Sequence, residues 1–157
     1  MLFPRCEQRG AMEILVAIDF SDSTVTLIDN AKRIAKSSDS NIWLLHVAAP
    51  EPEFVGFGVG PQTERDTVAK GLHTEHKILQ QHANALRKEG VDCTALLVQG
   101  ATVDTILHEA EKLSAGMIIL GTHGKSAVTK FFVGSTSEGI LHRTSIPVLI
   151  IPTHKRS

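Results

Sequence analysis

Glycine and hydroxyl residues form two short runs in the C-terminal third of the sequence. The first run is Gly121-Thr122-His123-Gly124, and nine residues separate it from the second, Gly134-Ser135-Thr136-Ser137. Glycine lets the backbone approach an anion closely and adopt positive φ, and the N–H groups that open a following helix attract negative charge. The two runs therefore predict a phosphate site. Taken alone, they are equally compatible with a glycine turn and a Ser/Thr helix cap.

Three nearby positions refine this phosphate hypothesis. Gly134 is expected to have positive φ, so that valine there would disfavour the backbone conformation and fill the space of a phosphate. Lys125 either contacts a phosphate or is a solvated loop lysine. The chain is not a Walker-type P-loop protein, because that motif needs a glycine at position 119, where this sequence has Ile119.

Apolar, strand-like segments alternate with helical patterns, which indicates a parallel sheet covered by helices. The predicted strands are residues 13–19, 41–47, 93–99, 117–120 and 147–151. We predict an α/β fold, a single-domain open parallel five-stranded sheet with helices on both faces, Rossmann-like, in the strand order 3-2-1-4-5. The domain would span residues 12–153, between an N-terminal extension at 1–11 and a tail at 154–157.

Two helix boundaries can also be predicted. Ser21 can cap the first helix, whose buried face would carry Val25, Ile28, Ala31 and Ala35. Gly90 is the expected residue just past the end of the second, long helix.

Four candidate residues lie at the carboxyl ends of the predicted strands. Asp19 and Gly121 end strands one and four, Gly100 follows strand three, and Val47 ends strand two. The carboxyl ends of parallel strands meet at one edge of the sheet, and open α/β sheets bind ligands there, where the strand order reverses. These residues are therefore expected to form one site.

The glycine runs resemble the Gly-x2-Gly-x9-Gly-Ser/Thr nucleotide loop of the universal stress protein family. Further segments resemble strands of that family in the same order: Ile14-Leu15-Val16-Ala17-Ile18-Asp19-Phe20-Ser21, Leu44-Leu45-His46-Val47, Val98-Gln99-Gly100 and Ile146-Pro147-Val148-Leu149-Ile150-Ile151. The resemblance covers nearly everything from Met12 to Pro152. It departs from the family pattern at Gly116, where members commonly carry Asp.

The resemblance implies a stress-response regulator that binds an adenine nucleotide, ATP or AMP, with Mg²⁺ or Mn²⁺ as a possible companion of ATP. Asp19 would hold the adenosine, Ala17 would fit against the nucleoside, and Val47 would offer backbone groups to the adenine edge. Ile18 and Gly100 belong to the same set of nucleotide-binding residues. The resemblance also implies a homodimer through the last strand, residues 147–151.

The phosphates would lie on Gly121, Gly124 and the Gly134-Ser135-Thr136-Ser137 turn. His123 either touches a phosphate or is a tolerated loop residue. For Asp19 the alternative is a carboxylate that accepts backbone N–H bonds.

An enzyme is the alternative from another functional class, either a slow ATP hydrolase or a nucleotide-transferring enzyme. Hydrolysis needs a group that orients water beside the γ-phosphate. The predicted edge offers Asp19, His123 and Lys125 but no second carboxylate, so we expect binding rather than efficient catalysis. No catalytic residue is assigned. His73 and His76 supply only two ligands, which do not make a zinc site.

Composition limits the remaining classes. The chain has 157 residues and a mass of 17.0 kDa, which fits one domain. A net charge of −1 gives no reason to expect nucleic acid or an anionic membrane as partner. Cys6 and Cys93 are too few for a disulfide framework, which favours the cytoplasm. Residues 48–62 are predicted to form a long loop, either a functional lid or a mobile segment.

Overall fold

The computed structural model describes residues 10–50, 62–122 and 133–153 of the chain. Strands and helices alternate along these residues, as the apolar pattern predicted. In chain order they are β1 (Glu13–Ile18), α1 (Thr24–Ser38), β2 (Asn41–Ala48), α2 (Gln62–Lys88), β3 (Cys93–Gln99), α3 (Thr102–Lys112), β4 (Met117–Gly121), α4 (Ser135–Arg143) and β5 (Val148–Ile151).

The strands form one five-stranded parallel sheet in the order β3-β2-β1-β4-β5, which confirms the predicted fold class and strand order. The central strand β1 pairs with β2 up to Ile18↔His46 and with β4 up to Val16↔Ile119. The chain adds β2 and β3 on one side of β1 and then crosses to add β4 and β5 on the other. The strand order therefore reverses between β1 and β4.

Helices cover both faces of the sheet, which explains why the strands are apolar almost throughout. On one face, Ile14 and Val16 of β1 pack in a cluster with residues of α1 and α2 such as Leu27 and Leu79. On the other face, Leu15 of β1 packs with residues of α3 and α4, including Ile106 and Ile140.

The start of α1 differs from the prediction. The helix begins at Thr24 and its N-cap is Ser23, so the predicted cap at Ser21 was wrong. The prediction that Val25 is buried was also wrong, because its side chain is 61% exposed. Thr24 lies three and four residues before Leu27 and Ile28, so it shares their buried face, and the next residue turns outward.

Two glycines occupy positions that other residues would fit poorly. Gly90 has a φ of +86° just beyond α2, which confirms it as the left-handed residue that follows the helix. Gly116 donates its N–H to the Glu13 carbonyl at 2.8 Å, and a Cβ atom there would lie 2.7 Å from Cγ of Met12. The packing of Met12 thus accounts for glycine at this position.

No helix within the described part of the chain is long and apolar enough to cross a membrane.

Candidate functional site

The carboxyl edge of the sheet between β1 and β4 brings together two chain segments that sequence analysis singled out. Asp19 follows β1 directly, Gly121 ends β4, and Thr122 follows it. From there the two strands lead to helices on opposite faces, since α1 packs with one apolar cluster and α4 with the other. A crevice bounded by the two segments is the expected place for a ligand in an open α/β sheet.

Asp19 belongs to a tight turn that links β1 to α1. Its Oδ1 atom accepts the Ser21 N–H at 3.0 Å, which is the backbone interaction that sequence analysis weighed as an alternative role. Phe20 has a φ of 57°, in the left-handed region that non-glycine residues seldom occupy. Within the described residues, Oδ2 of Asp19 has no hydrogen-bond partner, so one carboxylate oxygen is held and the other is available to a ligand.

The N-terminus of α4 is attached to the end of β4 by two hydrogen bonds. The Gly134 N–H donates to the Thr122 carbonyl at 3.0 Å, and the Ser137 hydroxyl donates to the Gly121 carbonyl at 3.1 Å. Gly121 is the last residue of β4 and Thr122 follows it. The helix therefore starts at the edge of the sheet beside the switch in strand order.

The conformation of Gly134 differs from the prediction. Its φ is −54° and its ψ is 155°, so the expected positive φ was wrong. Glycine suits the position for a different reason, because a Cβ atom would lie 3.1 Å from the Thr122 carbonyl oxygen. That separation is tighter than ordinary van der Waals contact, so a larger side chain would push α4 away from β4.

The first turn of α4 offers backbone donors in addition to hydroxyl groups. The first N–H groups of a helix have no acceptor within the helix, and Gly134 provides no side-chain cap. Ser135 is exposed and Thr136 is half-buried, whereas Ser137 is only 2% exposed. Because the Ser137 hydroxyl donates its proton to Gly121, any contact of this residue with an anion would come from its backbone N–H.

The candidate adenosine residues lie on the adjacent strands. Ala17 and Val47 are half-buried and pack at the margin of the cluster formed with α3 and α4, whereas the side chain of Ile18 is buried on the opposite face. The Gly100 N–H donates to the Ala48 carbonyl at 3.1 Å. A Cβ atom at Gly100 would lie 2.5 Å from Thr105 Oγ1, so glycine there also allows α3 to pack closely.

Three of the candidate residues, His123, Gly124 and Lys125, lie outside the described residues, as does most of the predicted loop at 48–62. The described residues contain no group of three or more His, Cys, Asp and Glu side chains that could hold a metal ion. His76 of α2 lies 3.1 Å from the Gln80 amide nitrogen through its Nε2 atom.

Sequence analysis gave no role to His46, which lies at the carboxyl end of β2 and is only 6% exposed. Its Nδ1 atom lies 2.8 Å from the Ile18 carbonyl oxygen. A signal was present in the sequence, because a histidine in a strand that is otherwise apolar on both faces needs a polar partner. The pattern could not tell which atom that partner would be.

The strand order and the helices on both faces place this protein among the doubly wound α/β proteins. Proteins of this class bind ligands at the carboxyl edge of the sheet, where the strand order reverses. The chain belongs to the universal stress protein family, whose family model matches residues 11–152. This confirms the resemblance seen in the sequence.

Relatives match along almost the whole chain. A universal stress protein of Thermus aquaticus is 31% identical over 139 residues, covering 88% of this chain and 96% of the relative. Universal stress protein YxiE of Bacillus subtilis is 26% identical over 144 residues, covering 88% and 97%.

Solved structures share the fold. The structure of protein MJ0577 superposes with a TM-score of 0.77 at 24% identity, covering 93% of this chain and 98% of that one. A universal stress protein in complex with cAMP has a TM-score of 0.68 at 23% identity, covering 92% and 98%. One from Archaeoglobus fulgidus in complex with dAMP has a TM-score of 0.60 at 23% identity, covering 88% and 96%.

Proposed function

We propose that this protein binds an adenine nucleotide, ATP or AMP, at the carboxyl edge of the sheet and acts as a stress-response regulator. The observation that carries this proposal is the hydrogen bond from the Gly134 N–H to the Thr122 carbonyl, 3.0 Å long. This bond supports an anion site, because it holds the N-terminus of α4 at the end of β4, which neighbours β1 across the switch in strand order. The cAMP and dAMP complexes of two structural neighbours support an adenine nucleotide as the ligand.

The proposed phosphate contacts are backbone N–H groups. They come from the first turn of α4 and from Gly121, with Gly124, His123 and Lys125 as further proposed contacts on the segment between β4 and α4. A nucleotide phosphate suits these donors because charge-assisted hydrogen bonds are stronger than neutral ones. With ATP, Mg²⁺ or Mn²⁺ would be held mainly through the phosphates.

The proposed adenosine contacts lie on the other side of the crevice. Oδ2 of Asp19 would accept a hydrogen bond from the ligand while Oδ1 keeps its bond to Ser21. Val47 would present backbone groups to the adenine edge, with Ala17, Ile18 and Gly100 at the ends of neighbouring strands. Backbone groups that match adenine would be left unpaired by guanine, so GTP should bind more weakly.

Isothermal titration with AMP, ATP and GTP tests the proposal. The protein is first unfolded and refolded, and the absence of co-purified nucleotide is checked by chromatography of the released small molecules. Heat of binding with AMP or ATP, and weaker binding of GTP, is the expected result. Absence of binding by both adenine nucleotides would refute the proposed function.

Gly134→Val tests the contact that carries the proposal. Since even a Cβ atom would approach the Thr122 carbonyl to 3.1 Å, the valine should move the start of α4 and lower affinity at least about tenfold. Gly71→Val is the matched control, because Gly71 lies in α2 with open space around it. Equal affinity of the Gly134 variant and the wild type would remove Gly134 from the site.

We expect this site to bind ATP without turning it over efficiently. Cradling the phosphates stabilises bound ATP as much as its transition state, and such uniform binding does not raise the chemical rate. With ATP and Mg²⁺ or Mn²⁺, phosphate release should be far slower than the typical enzyme value of about 10 per second. Release near that rate, abolished by His123→Ala or Lys125→Ala, would instead establish a hydrolase.

We further propose a homodimer through β5, which is an outer strand of the sheet. The carbonyls of Pro147 and Ile151 accept N–H bonds from Ile118 and Thr122. Because alternate residues of a strand point the same way, the backbone N–H groups of Val148 and Ile150 point away from β4. In the part of the chain that the structure describes, these donors face no further strand. An exposed apolar edge of this kind is prone to pair with another strand, and a second copy of β5 would provide carbonyl groups that accept from these N–H groups.

A further inference from the structure

The imidazole of His46 contacts three parts of the molecule: the carbonyl of Ile18, the ring of Phe20 and the carboxylate of Glu75. His46 is the last paired residue of β2 opposite β1, where its register partner is Ile18. It lies two residues beyond Leu44, whose side chain packs between the sheet and helices α1 and α2. Alternation along the strand therefore directs His46 toward the same helices.

The first contact fixes the protonation of one ring nitrogen. Nδ1 of His46 lies 2.8 Å from the Ile18 carbonyl oxygen, and a carbonyl can only accept, so Nδ1 carries the proton and donates it. The Ile18 carbonyl belongs to the peptide unit that continues into Asp19. This hydrogen bond thus orients the peptide that leads into the proposed adenosine contact.

The second contact is with the residue on the other side of Asp19. The rings of Phe20 and His46 have centroids 4.2 Å apart and are tilted by 36°. Phe20 holds a φ of 57°, which is unfavourable for a residue with a side chain, so a favourable ring contact helps to keep it there. His46 therefore contacts the backbone before Asp19 and the side chain after it.

The third contact reaches α2. Nε2 of His46 lies 3.7 Å from Oε2 of Glu75, and the imidazole is far more buried than the carboxylate, with 7% and 36% of the side chains exposed. This distance is within ion-pair range when Nε2 also carries a proton. The ring is thereby placed between the turn at residues 19–21 and a helix that contributes none of the proposed ligand contacts.

We propose that His46 is a positioning residue for the nucleotide site, which holds the turn at residues 19–21 in its binding geometry and joins that turn to α2 through Glu75. This inference rests on the proposed function. It adds a route by which nucleotide occupancy changes the surface of the protein, because a ligand that selects one arrangement of the turn also selects the arrangement of α2.

Two substitutions of His46 separate positioning from simple packing. His46→Leu removes the donor to Ile18, and AMP affinity measured by titration should fall about tenfold, since the buried carbonyl loses its partner. His46→Asn places an amide N–H near the position of Nδ1 and should recover part of that loss. Leu44→Val, on the same strand and face, is the control: it should lower stability and change AMP affinity less than about twofold.

Hydrogen exchange tests the connection to α2. AMP should slow amide exchange in α2 around Glu75 of the wild-type protein by at least about threefold, and this effect should disappear in His46→Asn and in Glu75→Gln. Both variants lack the contact between His46 Nε2 and the Glu75 carboxylate, while His46→Asn keeps the donor to Ile18.

The outcomes distinguish this inference from the function on which it rests. If the wild-type protein binds neither AMP nor ATP, the proposed function fails and the inference fails with it. If the wild type binds AMP but His46→Leu binds equally well, or AMP leaves exchange in α2 unchanged, the inference alone is overturned. Reduced affinity in His46→Leu with partial recovery in His46→Asn supports the positioning role.

Discussion

In the proposed nucleotide site, individual residues combine a structural bond with a group that the proposal assigns to the ligand. Asp19 holds its own turn with Oδ1, and its Oδ2 has no hydrogen-bond partner among the residues that the structure describes. Ser137 uses its hydroxyl to attach α4 to Gly121 and keeps its backbone N–H. Such internal bonds hold the remaining groups in place before a ligand arrives, and a pre-organised site loses less free energy on binding.

Cys93 provides a residue-scale prediction about reactivity. Its thiol is 5% exposed, and burial raises its pKa from 9.0 to about 11. The thiolate is the reactive form, so in the native protein at pH 8 iodoacetamide should modify Cys93 at least about a hundredfold more slowly than in the unfolded chain. Mass spectrometry of the peptide that contains Cys93 gives the two rates. Comparable rates in the two states would contradict the buried thiol.

The same pKa shift has a consequence for stability. Between pH 9 and about 11 the native thiol keeps a proton that the unfolded chain has lost, so the free energy of unfolding should fall as pH rises through this window. Cys93→Ala should reduce that slope, which urea unfolding at several pH values would show.

Gly116 and Met12 are expected to be energetically coupled. A Cβ atom at position 116 would lie 2.7 Å from Cγ and 3.0 Å from Sδ of Met12. Gly116→Asp should therefore destabilise the wild-type protein by about 1–3 kcal/mol and destabilise a Met12→Ala background less. Denaturant unfolding of the four proteins of this cycle measures the coupling. Additive changes in the free energy of unfolding would show that contact with Met12 does not cause the loss of stability.

The helices and strands were easier to predict from the sequence than the contacts between them. The strands and their order follow from apolar runs that are long enough to be buried on both faces. The outward position of Val25 depends on whether α1 starts at Thr24 or earlier, which is decided by packing against the sheet. The negative φ of Gly134 and the contacts of His46 depend equally on neighbours distant in sequence, so no local pattern contains them.

Two glycines, one inside α2 and one just beyond it, should change stability in opposite directions when replaced by alanine. Gly90→Ala should destabilise the protein by about 1 kcal/mol, because φ is +86° there and a Cβ atom is strained in that region. Gly71→Ala should stabilise it by up to about 1 kcal/mol, since Gly71 lies inside the helix with open space around it. Thermal unfolding of both variants checks the pair, and shifts of the same sign would contradict it.

At the scale of the whole molecule, the two outer strands allow a test of the proposed dimer. Ile150→Pro removes a backbone N–H that points away from β4, so it should prevent pairing without breaking a bond to β4. Ala95→Pro is the matched control on β3, because the bond from the Ile42 N–H to the Asp92 carbonyl places the Ala95 N–H on the open side. Light scattering at micromolar concentration should give a dimer mass for the wild type and Ala95→Pro, and a monomer mass for Ile150→Pro.

A wild-type monomer under these conditions would refute the dimer. Circular dichroism of both proline variants verifies that each remains folded, so that a change in mass reports association.

The length of α2 has a mechanical consequence. Its 27 residues span about 40 Å, whereas the 8 residues of β2 span about 26 Å. Among the residues of α2 whose burial is described, the fully buried ones are Leu79, Ala83 and Leu86, all in the C-terminal half. The length by which α2 exceeds β2 therefore lies in the half between Gln62 and Glu75. A tilt of α2 by about 6° about Glu75 would displace its first residue by about 2 Å.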